Sequence, residues 1–145
     1  MAFYLFNFSA AGAPEVRPQR ELATELLRGG VWSIGPGTPH RDALAPGDLA
    51  LIYVAAPDRV FIGRAQLAST AQVPTSTGSH EHPGDILSRV VLSHVEEWDP
   101  PVPIEHVLAR IDPGSNAKAD FSVDVVRITP HEYETAVAVA VEHRR

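Results

Sequence analysis

The sequence contains no cysteine, which excludes disulfide scaffolds, iron–sulfur clusters, cysteine-ligated zinc and cysteine nucleophiles. It also contains no uninterrupted apolar run of about 18 residues, the length that a membrane-spanning helix needs. The first residues lack the basic start and small-residue cleavage site of a secretory signal. We therefore expect a cytoplasmic protein.

The motifs of common catalytic and phosphate-binding sites are also missing. The sequence has neither a Walker phosphate loop nor a dinucleotide-binding glycine motif, and no serine lies in the GxSxG context of a hydrolase nucleophile. His80 and His82 form a His-x-His pair without the further ligands and spacing of a metal site. We therefore expect no catalytic residue, no metal and no cofactor.

Basic residues are few: 12 lysines and arginines stand against 18 acidic residues, which gives a net charge of -6 at pH 7. This charge argues against a protein that coats nucleic acid by bulk electrostatics. The excess negative charge lies in the second half. Residues 1–72 carry six arginines and six acidic residues, whereas residues 73–145 carry six basic and twelve acidic residues. The first half is therefore the more permissive surface for an anionic ligand, and its arginines suit forked phosphate contacts.

Of the 145 residues 44% are hydrophobic, which is enough for one core. The pattern of these residues predicts the main helices and strands. Residues 3–8 are rich in aromatic side chains and predict a buried strand. An i, i+4 apolar stripe predicts a helix over residues 18–28. Residues 49–54 and 60–67 predict a β-hairpin. Alternation in its second strand places four residues on one face: Phe61, Gly63, Ala65 and Leu67.

Further strands and helices are predicted in the second half of the chain. Residues 86–95 resume a strand pattern, which we expect to end before Trp98 and the prolines that follow it. We expect Trp98 to be structural, packed at the end of that strand. A short helix over residues 103–111 and a strand through Val125 follow.

A last helix is predicted over residues 130–141, because Thr129 and Glu132 have the spacing of a capping box around Pro130. Strands and helices do not alternate regularly along the chain, which disfavours a doubly wound parallel sheet. The pattern favours an α+β fold in which a mixed, mostly antiparallel β pseudo-barrel is flanked by helices. We expect one domain over residues 1–145.

Three segments of the first half carry a family resemblance. Residues 30–33 read Gly-Val-Trp-Ser directly after the predicted helix, residues 45–53 read Ala-Pro-Gly-Asp-Leu-Ala-Leu-Ile-Tyr, and residues 61–65 read Phe-Ile-Gly-Arg-Ala. Together they resemble the EVE domain family of the PUA-like superfamily and, more distantly, the YTH domains. The similarity is densest over residues 3–69 and extends loosely over nearly the whole chain.

This resemblance implies a PUA-like pseudo-barrel that binds a modified nucleobase, and bacterial EVE modules are often coupled to modification-dependent restriction. It implies a base pocket in which Trp32 is the aromatic wall and Ser33 is the small residue beside it. The end of the first strand then lines the cleft through Asn7, Phe8 and Ser9.

Other positions complete the implied site. YTH domains carry a second tryptophan further along the chain, where residues 79–83 read Ser-His-Glu-His-Pro. Either a histidine such as His82 replaces it, or the pocket has one aromatic wall. Tyr53, in the matched segment, is also assigned to the pocket. The cations nearest in sequence are expected to contact phosphate: Arg28, His40, Arg41 and Arg64.

The resulting interpretation is a non-enzymatic reader that flips one modified cytosine or adenine, in DNA rather than RNA, against the indole of Trp32. A nuclease partner or fused domain would make it the sensor of a restriction system. In this interpretation, replacing Trp32 removes selective binding and leaves the fold intact.

Two alternatives remain open: a barrel that binds a nucleotide-like metabolite, and an acidic protein-interaction module. They are distinguished by the surroundings of Trp32. A cleft lined by Trp32 and bordered by arginines favours the reader, whereas a tryptophan buried on all sides favours the interaction module.

Overall fold

Six strands and three helices lie in the residues that this computed structural model describes, namely 1–8, 19–34, 43–55, 58–72, 88–108, 110 and 125–143. In chain order they are β1 (Phe3–Phe8), α1 (Gln19–Gly29), β2 (Val31–Ile34), β3 (Leu49–Val54), β4 (Val60–Leu67), β5 (Ser88–Pro103), α2 (Ile104–Leu108), β6 (Val125–Ile128) and α3 (Pro130–His143). The predicted strand at residues 3–8 and the predicted hairpin are confirmed as β1 and as the antiparallel pair β3 and β4.

The six strands form one mixed sheet in the order β2-β5-β4-β3-β1-β6. β1 and β3 run parallel, and the other neighbouring pairs are antiparallel. β2 lies at one edge of this order and β1 near the other, yet Trp32 of β2 contacts the ring of Phe6 on β1. The sheet therefore curls into a half-barrel, which confirms the α+β, mostly antiparallel fold with flanking helices.

Alternate side chains of the strands pack into two apolar cores, one on each face of the sheet. The inner core lies within the curl and beneath α1, and includes Tyr4, Phe6, Leu27, Trp32, Ile34, Ile52 and Val90. The outer core lies beneath α2 and α3, and includes Leu5, Leu51, Tyr53, Phe61, Trp98, Tyr133 and Ala136. The burial of Trp98 in the outer core, with 2% of its surface exposed, confirms its structural role.

β5 is longer than predicted, because it continues through Trp98 to Pro103 instead of ending at residue 95. Two of its three prolines, Pro100 and Pro101, are tolerated for a specific reason. Where β5 pairs with β4, the register shifts and skips residues 98–101 of β5. A proline at such an irregularity removes no regular ladder hydrogen bond.

The same irregularity corrects the prediction for β4, in which Phe61 was expected on one face with Ala65 and Leu67. Phe61 belongs to the outer core, whereas Ala65 and Leu67 belong to the inner core. The pairing of β4 with β5 shifts after Phe61, so that Ile62 also points into the inner core. A β-bulge rotates the strand in this way, and simple alternation does not anticipate it.

The helices lie where they were predicted, but their lengths differ from the predicted lengths. α2 covers Ile104–Leu108 instead of residues 103–111, and α3 ends at His143, two residues beyond the prediction. Within the described ranges, no helix has the length and apolar character needed to span a membrane.

Two side-chain bonds cap the start of α3, as the sequence predicted. The backbone N–H of Thr129 donates to Glu132 Oε1 (2.9 Å), and the backbone N–H of Glu132 donates to Thr129 Oγ1 (3.1 Å). This reciprocal pair is a capping box, which satisfies two N–H groups that have no partner within the helix.

Replacing Thr129 with alanine should lower the free energy of unfolding by about 0.5–2 kcal/mol, because one of these N–H groups loses its acceptor. Urea denaturation followed by circular dichroism measures the change. Thr135→Ala is the control: the Thr135 hydroxyl donates to the carbonyl of His131 within the helix, and alanine is the better helix former there. Equal losses for the two variants would contradict a specific capping role.

Candidate functional site

An aromatic cluster lies where β2 meets the end of β1 inside the half-barrel. The indole of Trp32 stacks near-parallel to Phe6, with ring centroids 6.2 Å apart and an angle of 24° between the planes. Phe8, the last residue of β1, meets the indole edge-on at 6.0 Å and 72°. The structure thus brings Trp32 and Phe8 together, as the resemblance implied.

Gly30 positions Trp32 in this cluster. It has a φ of +71° and its N–H donates to the carbonyl of Leu27, so that it ends α1 in the left-handed conformation that glycine adopts without strain. The carbonyl of Gly30 then accepts the N–H of Leu92 of β5. The chain enters β2 directly after this turn, with Trp32 directed inward.

The burial of Trp32 corrects the expectation of an open indole. Only 2% of its surface is exposed, and it packs within the inner core beside Ile34. Phe6 is fully buried, whereas Phe8 is half-buried. Phe8 is therefore the member of the cluster that can be displaced most easily.

Three of the proposed pocket residues point away from Trp32. Tyr53 belongs to the outer core, where its ring lies 5.2 Å from that of Phe61, and burial raises the pKa of its phenol. Asn7 pairs with Tyr53 across β1 and β3, and alternation along β1 places it on the same outer face. Ser33 lies between inward residues of β2 and so faces outward. The expectation that these three line one pocket with Trp32 is corrected.

Arg28 and Arg64, the two expected phosphate ligands that the structure describes, are both held by carboxylates. Arg28 makes two hydrogen bonds to Glu97, from Nε to Oε2 (2.8 Å) and from Nη2 to Oε1 (2.7 Å). The Arg28 side chain is 66% exposed. The hydrogen bond to Arg28 lowers the pKa of Glu97, and the same bond raises the pKa of Arg28.

Arg64 is paired with Glu96 and is less exposed than Arg28. Its Nε donates to Glu96 Oε2 at 3.0 Å, its Nη2 lies 2.9 Å from the same oxygen in an ion pair, and its side chain is 34% exposed. Glu96 also accepts the indole N–H of Trp98 at 3.2 Å. A phosphate at either arginine must compete with a carboxylate, so neither cation is as accessible as the sequence suggested.

Four expected site residues lie outside the described residues: Ser9, His40, Arg41 and His82. Their roles stay predictions. In the part of the chain that the structure does describe, no group of three or more histidine, aspartate or glutamate side chains is placed to hold a metal ion.

Ser88 is a polar residue of the inner core that the sequence did not single out. It is fully buried, and its Oγ has no hydrogen-bond partner among the residues that the structure describes. Ser88 pairs with Ile34, and Val90 pairs with Trp32 in the same antiparallel ladder. A buried hydroxyl left without a partner costs about 1–3 kcal/mol, so its presence beside the aromatic cluster requires an explanation.

A cavity of about 360 Å³ lies elsewhere, where α2 approaches the end of α3. The described residues that line it are His106, Arg110, Val139, Glu142 and His143, and Arg110 forms an ion pair with Glu142 across it. It lies outside the half-barrel, so it does not correspond to the metabolite pocket within the barrel that was one alternative.

Comparison with known proteins identifies the fold. No family model matches the sequence, and neither does any curated protein. Solved structures do match: a hypothetical protein from Leishmania major (13% identity, TM-score 0.68, covering 100% of this chain and 98% of that one) and a protein from Rhodopseudomonas palustris (16%, 0.63, 98% and 94%). A third is the ASCH protein from Zymomonas mobilis (11%, 0.59, 94% and 94%).

At these identities the similarity establishes the fold and nothing more. The structures align over nearly their whole lengths, so the likeness extends beyond a shared motif. Membership of the EVE family stays a prediction. The chain adopts a PUA-like pseudo-barrel fold, similar to that of ASCH proteins.

Proposed function

We propose that this chain is a non-catalytic nucleic-acid-binding module that accepts one modified base, in DNA in preference to RNA. The observation that carries the proposal is the aromatic cluster of Trp32, Phe6 and Phe8, placed where β1 and β2 meet inside a PUA-like half-barrel. One fold can host many functions, so the proposal has to be tested by substitutions within the aromatic cluster.

Phe8 is the ring that an entering base replaces in this proposal. It is half-buried, ends its strand and contacts the indole by its edge, so a rotation that removes it exposes an aromatic surface of Trp32. Flipping a base costs a few kcal/mol, and stacking on an aromatic ring returns about 1–3 kcal/mol. The two nearly cancel, so we expect weak binding by this chain alone.

Electrostatics supports weak binding as well. A phosphate that approaches Arg28 has to displace Glu97, and the net charge of -6 opposes the approach of a polyanion. Discrimination between bases therefore has to come from contacts between the base and the aromatic cluster. We propose that a nuclease partner or fused domain supplies any cleavage in a modification-dependent restriction system, and that this chain hydrolyses no nucleic acid.

Trp32→Phe should lower the affinity for the preferred modified oligonucleotide by about fivefold, because the phenyl ring offers a base less stacking surface than the indole. The measurement is a titration of duplex and single-stranded oligonucleotides that differ in one base modification. Phenylalanine keeps an apolar ring in the inner core, so the folded state is retained.

Trp98→Phe is the matched control, since Trp98 is equally buried but lies in the outer core. It should leave the affinity unchanged. Equal losses for the two variants, or no preference of the wild type for any modified base, would contradict base recognition at Trp32. Turnover of an oligonucleotide in the same samples would contradict the absence of catalysis.

A second candidate function is an acidic protein-interaction module. The burial of Trp32 favours it, as does the pairing of Arg28 and Arg64 with carboxylates. Failure of every oligonucleotide to bind, together with binding of a basic protein that weakens with added salt, would establish it in place of the first proposal.

A further inference from the structure

We propose that the Ser88 hydroxyl is a specificity-determining group that hydrogen-bonds the polar edge of the bound base. This inference rests on the proposed function and names the residue that reads the base. The hydroxyl is fully buried, and the described residues supply it with no hydrogen-bond partner. Buried polar groups in folded proteins are ordinarily paired, and an exception is expected where a ligand completes the pairing.

The position of Ser88 in the sheet places it beside the aromatic cluster. β2 and β5 pair antiparallel, with Trp32 opposite Val90 and Ile34 opposite Ser88. Trp32, Ile34, Val90 and Ser88 are all buried, and alternation places them on the inner face of the two strands. Ser88 is thus a diagonal neighbour of Trp32, at a spacing of roughly 7–8 Å between backbones.

That spacing suits a base stacked on the indole. One face of the base contacts the ring of Trp32, while its edge extends sideways toward Ser88, the inward-facing residue of β5 that precedes Val90. A serine hydroxyl both donates and accepts, so it pairs with an amino, imino or carbonyl group on that edge. The ligand class is therefore a nucleobase with a hydrogen-bonding edge, and a purely apolar ring does not satisfy the site.

The test uses opposite effects on stability and binding. Ser88→Ala removes a hydroxyl that has no partner in the unbound chain, so the urea midpoint of unfolding should stay the same or rise. The affinity for the preferred modified oligonucleotide should fall about three- to tenfold, because one hydrogen bond to the base is lost. A residue with a purely structural role would instead lower the midpoint when truncated.

Ser93→Ala is the matched control on the same strand. Ser93 is half-buried and its hydroxyl donates to the carbonyl of Gln66 at 3.4 Å, so its removal should not change the affinity. A lower midpoint for Ser88→Ala would overturn the inference, and so would wild-type affinity in that variant. If the wild type binds modified oligonucleotides and Ser88→Ala binds them equally well, the inference fails and the proposed function stands. If no oligonucleotide binds the wild type, both fail.

Discussion

Replacing Trp32 with alanine should lower the free energy of unfolding by about 3–5 kcal/mol, the range for deleting a large buried aromatic side chain. The indole is 2% exposed and packs against Phe6 and Phe8, so alanine leaves a cavity at the point where the curled sheet closes. The total free energy of unfolding of a domain of this size is about 5–15 kcal/mol, so the substitution removes a large fraction of it. Urea denaturation followed by circular dichroism measures the loss.

This expectation differs from the one that the sequence supported, in which the alanine variant stays folded and only binding is lost. A loss below about 1 kcal/mol would support the earlier view, because a solvent-exposed aromatic residue contributes little to folding. The larger loss makes Trp32→Ala unsuitable for testing recognition, which is why the phenylalanine variant serves that purpose.

Replacing Gly63 with alanine should destabilise the chain by about 3 kcal/mol, the upper end of the usual range for overpacking. A Cβ atom at this position would lie 2.3 Å from the carbonyl oxygen of Glu96 and 2.8 Å from Leu27 Cδ2. The leucine side chain can rotate away, but the Glu96 carbonyl belongs to the backbone of β5. Relief of the clash therefore requires β4 and β5 to separate.

Gly29→Ala is the control for this prediction. A Cβ atom there meets nothing within 4 Å, and Gly29 lies in the last turn of α1. Alanine in a helix is favoured over glycine by about 0.5–1 kcal/mol, so this variant should be more stable than the wild type. The close approach at Gly63 is disproved if the two variants change the urea midpoint in the same direction.

The parts of the structure that could be predicted from the sequence depend on neighbours within a few residues. The capping box joins Thr129 to Glu132, three residues away, and the strand β1 follows from a compact aromatic run. The apolar stripe of α1 is equally local. These signals are written in consecutive residues, and each was confirmed.

The parts that could not be predicted depend on how distant strands align. Arg64 and Glu96 are 32 residues apart, and Arg28 and Glu97 are 69 residues apart. The first pair cannot be foreseen without the register of β4 against β5, which two irregularities shift. The second depends on how α1 packs against β5. The same shifts in register assign Phe61 to the outer core.

The candidate site also depends on how distant strands align, so only part of it could be predicted. Trp32 and Phe8, which were expected to line one pocket, lie against each other, whereas Tyr53 lies on the other face of the sheet. Ser88 carried no signal at all, since a serine at the start of a strand is ordinary in sequence. Only its burial and its place in the ladder with β2 distinguish it.

The placement of one tryptophan in each core has a practical consequence, because the sequence contains only these two. In Trp32→Phe the remaining indole emission comes from the outer core, and in Trp98→Phe it comes from the inner core. The two variants that separate recognition from packing are thus also single-emitter chains. Their fluorescence unfolding curves can be compared once the difference between their unfolding midpoints is subtracted. Curves of the same shape indicate that both faces of the sheet unfold in one cooperative step, and curves of different shape indicate that one face unfolds first.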